Sequence, residues 1–240
     1  MVSKTSYQTE SDQLLAAVTQ HNKDAGASLL EVMDSASTLL LAWLQYLDRY
    51  ARTSVADELL TGVRSAVIEA AGVAALGLVR PGLLSLRAEI DLLLSWLYYK
   101  DHAKEWALAN EGGFFKLKSE LVTYLNNTMP GFQERYNLLL KVADRSQKEP
   151  YVLLSKHVHS QTAALLPPGG KVASLVANVA LCHEFVKLQR EVSEYLGDLL
   201  ASYYAGRWSE LPTSITEYLE ARLGDEGCKR LVTANAVAGR

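Results

Sequence analysis

SLLEVMDSASTLLLAWLQYLDRY, residues 28–50, decides the fold class. Its apolar residues return at spacings of three and four, the repeat of one helix face, and no period-two alternation runs through it. The same pattern fills nearly the whole chain. The sequence therefore predicts an all-α protein, a multi-helix bundle with a long helix and short C-terminal helices. The helix holding the quoted stretch is expected from Ala27 to Arg52. Ser54 followed by Asp57 resembles a capping box with Asp in place of Glu and opens a second helix reaching Leu78. Its EAAGVAALG run, residues 69–77, lets a neighbour pack closely.

Breakers punctuate the rest. Pro81 suits the first turn of a third helix over Pro81–Lys100, and Gly112-Gly113 marks the loop that follows it. Helices are expected over Phe114–Asn127 and Phe132–Arg145, separated by Met129-Pro130-Gly131. YVLLSKHVHS, residues 151–160, forms a helix that ends before Pro167-Pro168-Gly169-Gly170. A long helical stretch covers Lys171–Tyr204, with Gly197 as a point of interruption, and short helices cover Thr213–Leu223 and Asp225–Ala234. The expected organisation is a polar segment at 1–22, frayed or weakly helical, a bundle at 23–166, and a helical extension at 167–240 packing on the same domain.

Of the 240 residues 49% are apolar and 21% charged, the balance of a globular chain. With 24 basic and 27 acidic residues, the net charge of −3 argues against a protein that coats nucleic acid, while leaving a local basic patch open. Cys182 and Cys228 are far apart and form no C-x-x-C motif, which fits a reducing cytosol. The first residues lack the apolar core of a signal peptide, and uncharged runs such as Val172–Cys182 fall short of the roughly 20 residues of a membrane span. A cytoplasmic location without membrane association is the expectation. No P-loop, H-E-x-x-H or EF-hand pattern is present, so neither a cofactor nor a metal is expected. Cys182-His183 lies in an apolar helix and reads as a core cysteine.

Helical phase sorts the polar residues. At about 100° per residue, Ser155 and His159 lie about 40° and 80° from Tyr151, flanking a stripe of Leu154, Val158, Thr162 and Leu165, while His157 lies at about 240°. The two histidines therefore cannot share a metal ion, and His157 is expected on the surface. His159 reads either as a boundary histidine held by a neighbouring carbonyl or carboxylate, or as part of a site. On the third helix Arg87, Asp91 and Tyr98 share the edge of a core stripe made by Leu83, Leu86, Ile90, Leu93, Leu94 and Leu97. Arg87 and Asp91 read as a structural ion pair, or as a network that presents a guanidinium to phosphate. His102, at the helix end, can complement the helix dipole.

These residues carry a resemblance. Arg87, Glu89, Tyr98, Asp101 and His102, followed by Tyr151, Leu154, Ser155, Val158 and His159 in the form Y-x-x-L-S-x-x-V-H, are similar to HEPN-like proteins. These are prokaryotic helical bundles found in phage-defence and toxin–antitoxin systems. The resemblance covers Leu83–Leu165, about a third of the chain. Active ribonucleases of that family pair an arginine with a histidine four to six residues later, across a dimer, and cleave RNA without metal. Here Arg145 precedes His157 by twelve residues and Arg87 precedes His102 by fifteen, so this chain departs from that spacing.

Three functions follow. The first is a non-catalytic interaction or regulatory subunit of a defence assembly, binding a protein partner or its own copies. The second is a metal-independent ribonuclease acting on RNA, with His159 as acid–base and Arg87 or Arg145 as phosphate clamp. The third is a small-molecule or nucleotide sensor with its pocket between helices. Tyr151, Ser155, Tyr98, Asp91 and His102 are the expected binding residues.

Overall fold

The computed structural model describes residues 4–113, 116–159, 161 and 170–234, and every regular element among them is helical. The order is α1 (Lys4–His21), α2 (Ala27–Tyr50), α3 (Glu58–Ala75), α4 (Val79–Tyr99), α5 (Ala103–Asn110), α6 (Lys118–Thr128), α7 (Phe132–Lys141), α8 (Pro150–Val158), α9 (Val179–Tyr204) and α10 (Thr213–Thr233). A π-helical turn, Asn22–Gly26, joins α1 to α2, and 3-10 turns cover Val172–Leu175 and Ala205–Glu210. The protein is all-α, as the periodicity requires. Phe114, Thr162, Leu165 and the expected boundary at 167–169 lie outside the described residues.

Local chemistry sets the helix ends. The Asp57 carboxylate accepts from the N–H groups of Ser54 at 2.9 Å and Thr53 at 3.4 Å, so the reach-back half of the capping box forms. Ser54 and Ala56 have positive φ, 64° and 57°, and α3 starts only at Glu58. α9 passes through Gly197 without a break. A β-carbon there would come within 2.7 Å of Leu39 Cδ2, so this glycine serves close packing rather than interruption. α10 breaks at Gly224 (φ 63°, ψ 174°), between the two short helices that the sequence predicts. The polar N-terminal segment takes the helical of its two alternatives, as α1 from Lys4. One expectation is corrected: residues 103–110, AKEWALAN, expected as loop, form α5 because they contain no breaker.

The chain divides into two compact units: Met1–Ser37, Ser65–Ala88 and Pro150–Arg190 make unit 1, and Thr38–Arg64, Glu89–Glu149 and Glu191–Arg240 make unit 2. The division does not follow the boundaries at 22/23 and 166/167, because α2, α3, α4 and α9 are each shared between the units.

In unit 1, Leu29, Met33, Ala70, Leu86, Leu154, Cys182 and Phe185 are fully buried. The Asn22 side chain donates to the Ala75 carbonyl at 3.2 Å, satisfying an orphan acceptor at the end of α3. In unit 2, residues 191–202 of α9 are all buried. Trp43 and Tyr204 each meet Tyr46 edge-on, with centroids 5.9 and 5.6 Å away. Trp96 Nε1–H donates to Asp57 at 3.2 Å. Ser6–Tyr50 is long and apolar enough to cross a membrane by length and composition, a property that it shares with buried core helices. Its Leu29 and Met33 in unit 1, and its Leu40, Trp43 and Leu47 in unit 2, are buried.

Two glycines of unit 1 give opposite expectations. A β-carbon on Gly82 would meet the Phe185 ring at 2.5 Å and Val73 at 3.1 Å, whereas one on helical, exposed Gly72 meets nothing within 4 Å. Gly82→Ala is expected to destabilise by about 1–3 kcal/mol through overpacking. Gly72→Ala is expected to stabilise by about 0.5–1 kcal/mol through helix propensity and lost unfolded-state freedom. Urea midpoints of the two variants against wild type check the pair.

Candidate functional site

In unit 1, α4 and α8 are clamped by one arginine. Arg87 donates to Tyr151 Oη at 2.9 Å and to Ser155 Oγ at 3.2 Å, with its guanidinium 4.9 Å from the Tyr151 ring centroid. Tyr151 and Ser155 are one helical turn apart and both face Arg87, whereas His159 does not join them. Further along the same helix pair, Arg80, Leu83 and Leu84 of α4 enclose a cavity of about 140 Å³ with His157 and Val158 of α8. The two helices therefore run antiparallel here.

The histidine phase is corrected. His157, expected on the surface, is 7% exposed, and neither ring nitrogen has a hydrogen-bond partner among the described residues. His159, expected at the core edge, is exposed and lies one residue beyond α8. The cause is the helix end. The expected stripe used Thr162 and Leu165, but α8 stops at Val158, and its buried positions are Pro150, Leu154 and His157. Burial holds the His157 imidazole below its ordinary value.

In unit 2, α9 turns three acids inward. Glu191, Glu194 and Asp198, at i, i+3 and i+7, share one face and are 5%, 7% and 0% exposed. Arg145 donates to Asp198 at 2.6 Å and lies 3.3 Å from Glu194. Arg222 of α10 donates to Asp198 at 2.6 Å and to Glu194 at 2.8 Å. Glu191 accepts from the Ser146 N–H at 3.0 Å, the Ser146 hydroxyl and the Gln147 N–H at 3.3 Å. Glu194 also accepts the Asp144 N–H at 3.1 Å. Two guanidinium groups thus face two carboxylates, and a third carboxylate binds the loop between α7 and α8. Arg145, expected as a phosphate clamp, has a fully buried side chain inside this network. Helical periodicity alone does not single out these three acids. Their signal is E-x-x-E-x-x-x-D inside residues 191–204 of α9, a stretch with no other charged residue.

Tyr98 and His102 also meet in unit 2. Their rings stack at 4.1 Å and 2°, and Tyr124 packs edge-on against both. The Tyr98 hydroxyl donates to Glu105 at 2.8 Å, and Glu105 pairs with Lys116 at 3.2 Å. His102 Nδ1 lies 2.7 Å from the Tyr98 carbonyl. A carbonyl only accepts, so Nδ1 carries the proton and complements the end of α4. Asp91 is half-buried on the same helix.

Arg135 is another buried cation of unit 2, 1% exposed. Its Nε donates to the Leu231 carbonyl in the last turn of α10, and its Nη1 to the Ser202 carbonyl in the last turn of α9, both at 3.1 Å. It caps two helix C-termini at once. An open groove of about 720 Å³ beside it is lined by both signs of charge, Lys141 and Arg230 against Glu134.

Cys182 is buried in unit 1, with Sγ 3.9 Å from His21 Nε2. Burial pushes the thiol up, away from the reactive thiolate. Among the described residues, no three His, Cys, Asp or Glu side chains are grouped so as to hold a metal ion. No family model, curated protein or solved structure matches the chain.

Two measurements probe these sites. Arg145→Met removes one of the two cations facing the buried Asp198 and Glu194 carboxylates, leaving Arg222 alone, and is expected to cost about 3–5 kcal/mol in urea unfolding. For His157, the folded-state value is depressed, so its stabilisation is present above about pH 6.5 and is lost as pH falls towards and through the folded value. His157→Gln is expected to flatten the loss of stability between pH 7 and 5 relative to wild type, measured by thermal unfolding in a buffer free of phosphate and carboxylate.

Proposed function

We propose that this chain is a non-catalytic helical interaction subunit, of the regulatory kind that the HEPN-like resemblance implies for defence assemblies. One observation carries the reading: Arg87 and Arg145, the two arginines that the sequence offers as phosphate clamps, are engaged in holding helices together. Arg87 is clamped onto Tyr151 and Ser155, and Arg145 is sealed among Asp198 and Glu194. His159 stands exposed past the end of α8. A ribonuclease of that family needs a guanidinium aimed at the phosphorane and an imidazole beside it to move protons. Arg145 has all its exposure removed, and Arg87 is tied to hydroxyl acceptors rather than turned to an open anion site. The same residues suit a bundle whose shape is held fixed for a partner.

RNA cleavage assays in EDTA test the proposal with wild type, His159→Ala and Arg87→Ala. The expected result is no cleavage above background in any of the three. Cleavage by wild type that His159→Ala abolishes overturns the proposal in favour of the metal-independent ribonuclease. A parallel co-purification with the proteins encoded beside it is expected to give a stable complex on size exclusion. A strict monomer with every one of them counts against an interaction subunit.

A further inference from the structure

The α4–α8 cleft of unit 1 contains an unexplained group. His157 is buried, and both of its ring nitrogens lack partners among the described residues. A buried polar atom left without a hydrogen bond costs about 1–3 kcal/mol, and buried polar groups in folded proteins are paired as a rule. His157 forms one wall of the cavity of about 140 Å³. Among the described residues, Leu83, Leu84 and Val158 form the other walls and Arg80 joins the lining. Arg80 is exposed and has no ion pair among the described residues. No carboxylate lines this space among the described residues. The lining offers a fixed positive charge, an imidazole donor and hydrocarbon.

We propose that this cleft binds a small organic oxyanion, a carboxylate or phosphate head with a short apolar tail. The head accepts from the Arg80 guanidinium and from the His157 ring N–H, and the tail lies on Leu83, Leu84 and Val158. Size supports the class. At about 30 Å³ per water, the cavity has room for only a few heavy atoms, well below the roughly 300–1,000 Å³ of drug-sized pockets. A whole nucleotide does not fit. Recognition follows the usual chemistry of such heads, a charge-assisted bond from arginine supplemented by a neutral donor. The adjacent clamp of Arg87 on Tyr151 and Ser155 holds the two helices in place, so the walls are set before a ligand arrives. The proposal goes beyond the interaction reading and does not depend on it.

The test is NMR on the full chain with labelled histidine, His157 being assigned by its loss in His157→Gln. Butyrate and inorganic phosphate are titrated separately to about 0.1 M, with sodium chloride at matched ionic strength as control. Butyrate is expected to shift the His157 ring signals saturably. Phosphate acting as well, and more strongly, assigns the phosphate head within the same site. Arg80→Gln, an exposed change whose fold circular dichroism checks, is expected to weaken the apparent affinity about tenfold or more. Absence of a saturable shift with both anions overturns the proposal, and so does equal affinity in wild type and Arg80→Gln.

Discussion

Unit 2 depends on the three acids that α9 carries into its interior. Glu191, Glu194 and Asp198 lie on one face of a helix segment that is buried all round. A buried carboxylate left alone is unacceptable, because the loss of hydration far exceeds what packing returns. The fold must therefore bring cations and N–H donors to this face. Arg222 arrives from α10, and Arg145 comes from the loop before α8 together with the Ser146 and Gln147 amides. Two segments distant in sequence are thereby fixed against α9. The demand also sets register. A slip of α9 by one residue turns the acids by about 100°, leaving two guanidinium groups buried without counter-charge. An apolar face would tolerate such a slip more readily, since dispersion and burial are non-directional.

The sequence shows this fold unevenly, for physical reasons. Period and breakers are local, so helix type, the C-terminal end of α9, the turn at Asp57 and the break at Gly224 are legible, whereas α9 starts at Val179 rather than Lys171. Faces are legible only when a helix end is known. The stripe assigned to α8 failed because two of its four members lie beyond Val158, and the true stripe runs through Pro150, Leu154 and His157. The pairing of Tyr151 with Ser155 survived, since one turn of spacing does not depend on where the helix stops. Their partner Arg87 was named as a candidate, but its hydroxyl acceptors are 64 and 68 residues away and no local pattern reports them. Arg145 was misplaced for the same reason. A loop arginine looks free until the helix that neutralises it is known.

Arg135 and His157 show when a buried donor points to a ligand. Both are nearly inaccessible, and neither is paired with a carboxylate among the described residues. Arg135 keeps one buried nitrogen, Nη2, without a partner among the described residues, but most of its donor capacity is used inside the fold. Two of its donors end the ladders of α9 and α10, whose final carbonyls carry the negative end of each helix dipole. The groove beside it also holds Glu134, which opposes an anion. His157 has no such acceptor. It faces a small space between the start of α4 and the end of α8, with one cation and no acid among the described residues that line it. A cation whose bonds are mostly made within the fold, beside an acid, explains a structure. A donor left unsatisfied beside a cavity of fitting charge asks for a molecule that the chain does not itself supply. By that distinction the α4–α8 cleft, and not the larger groove, is where this protein's chemistry with small molecules belongs.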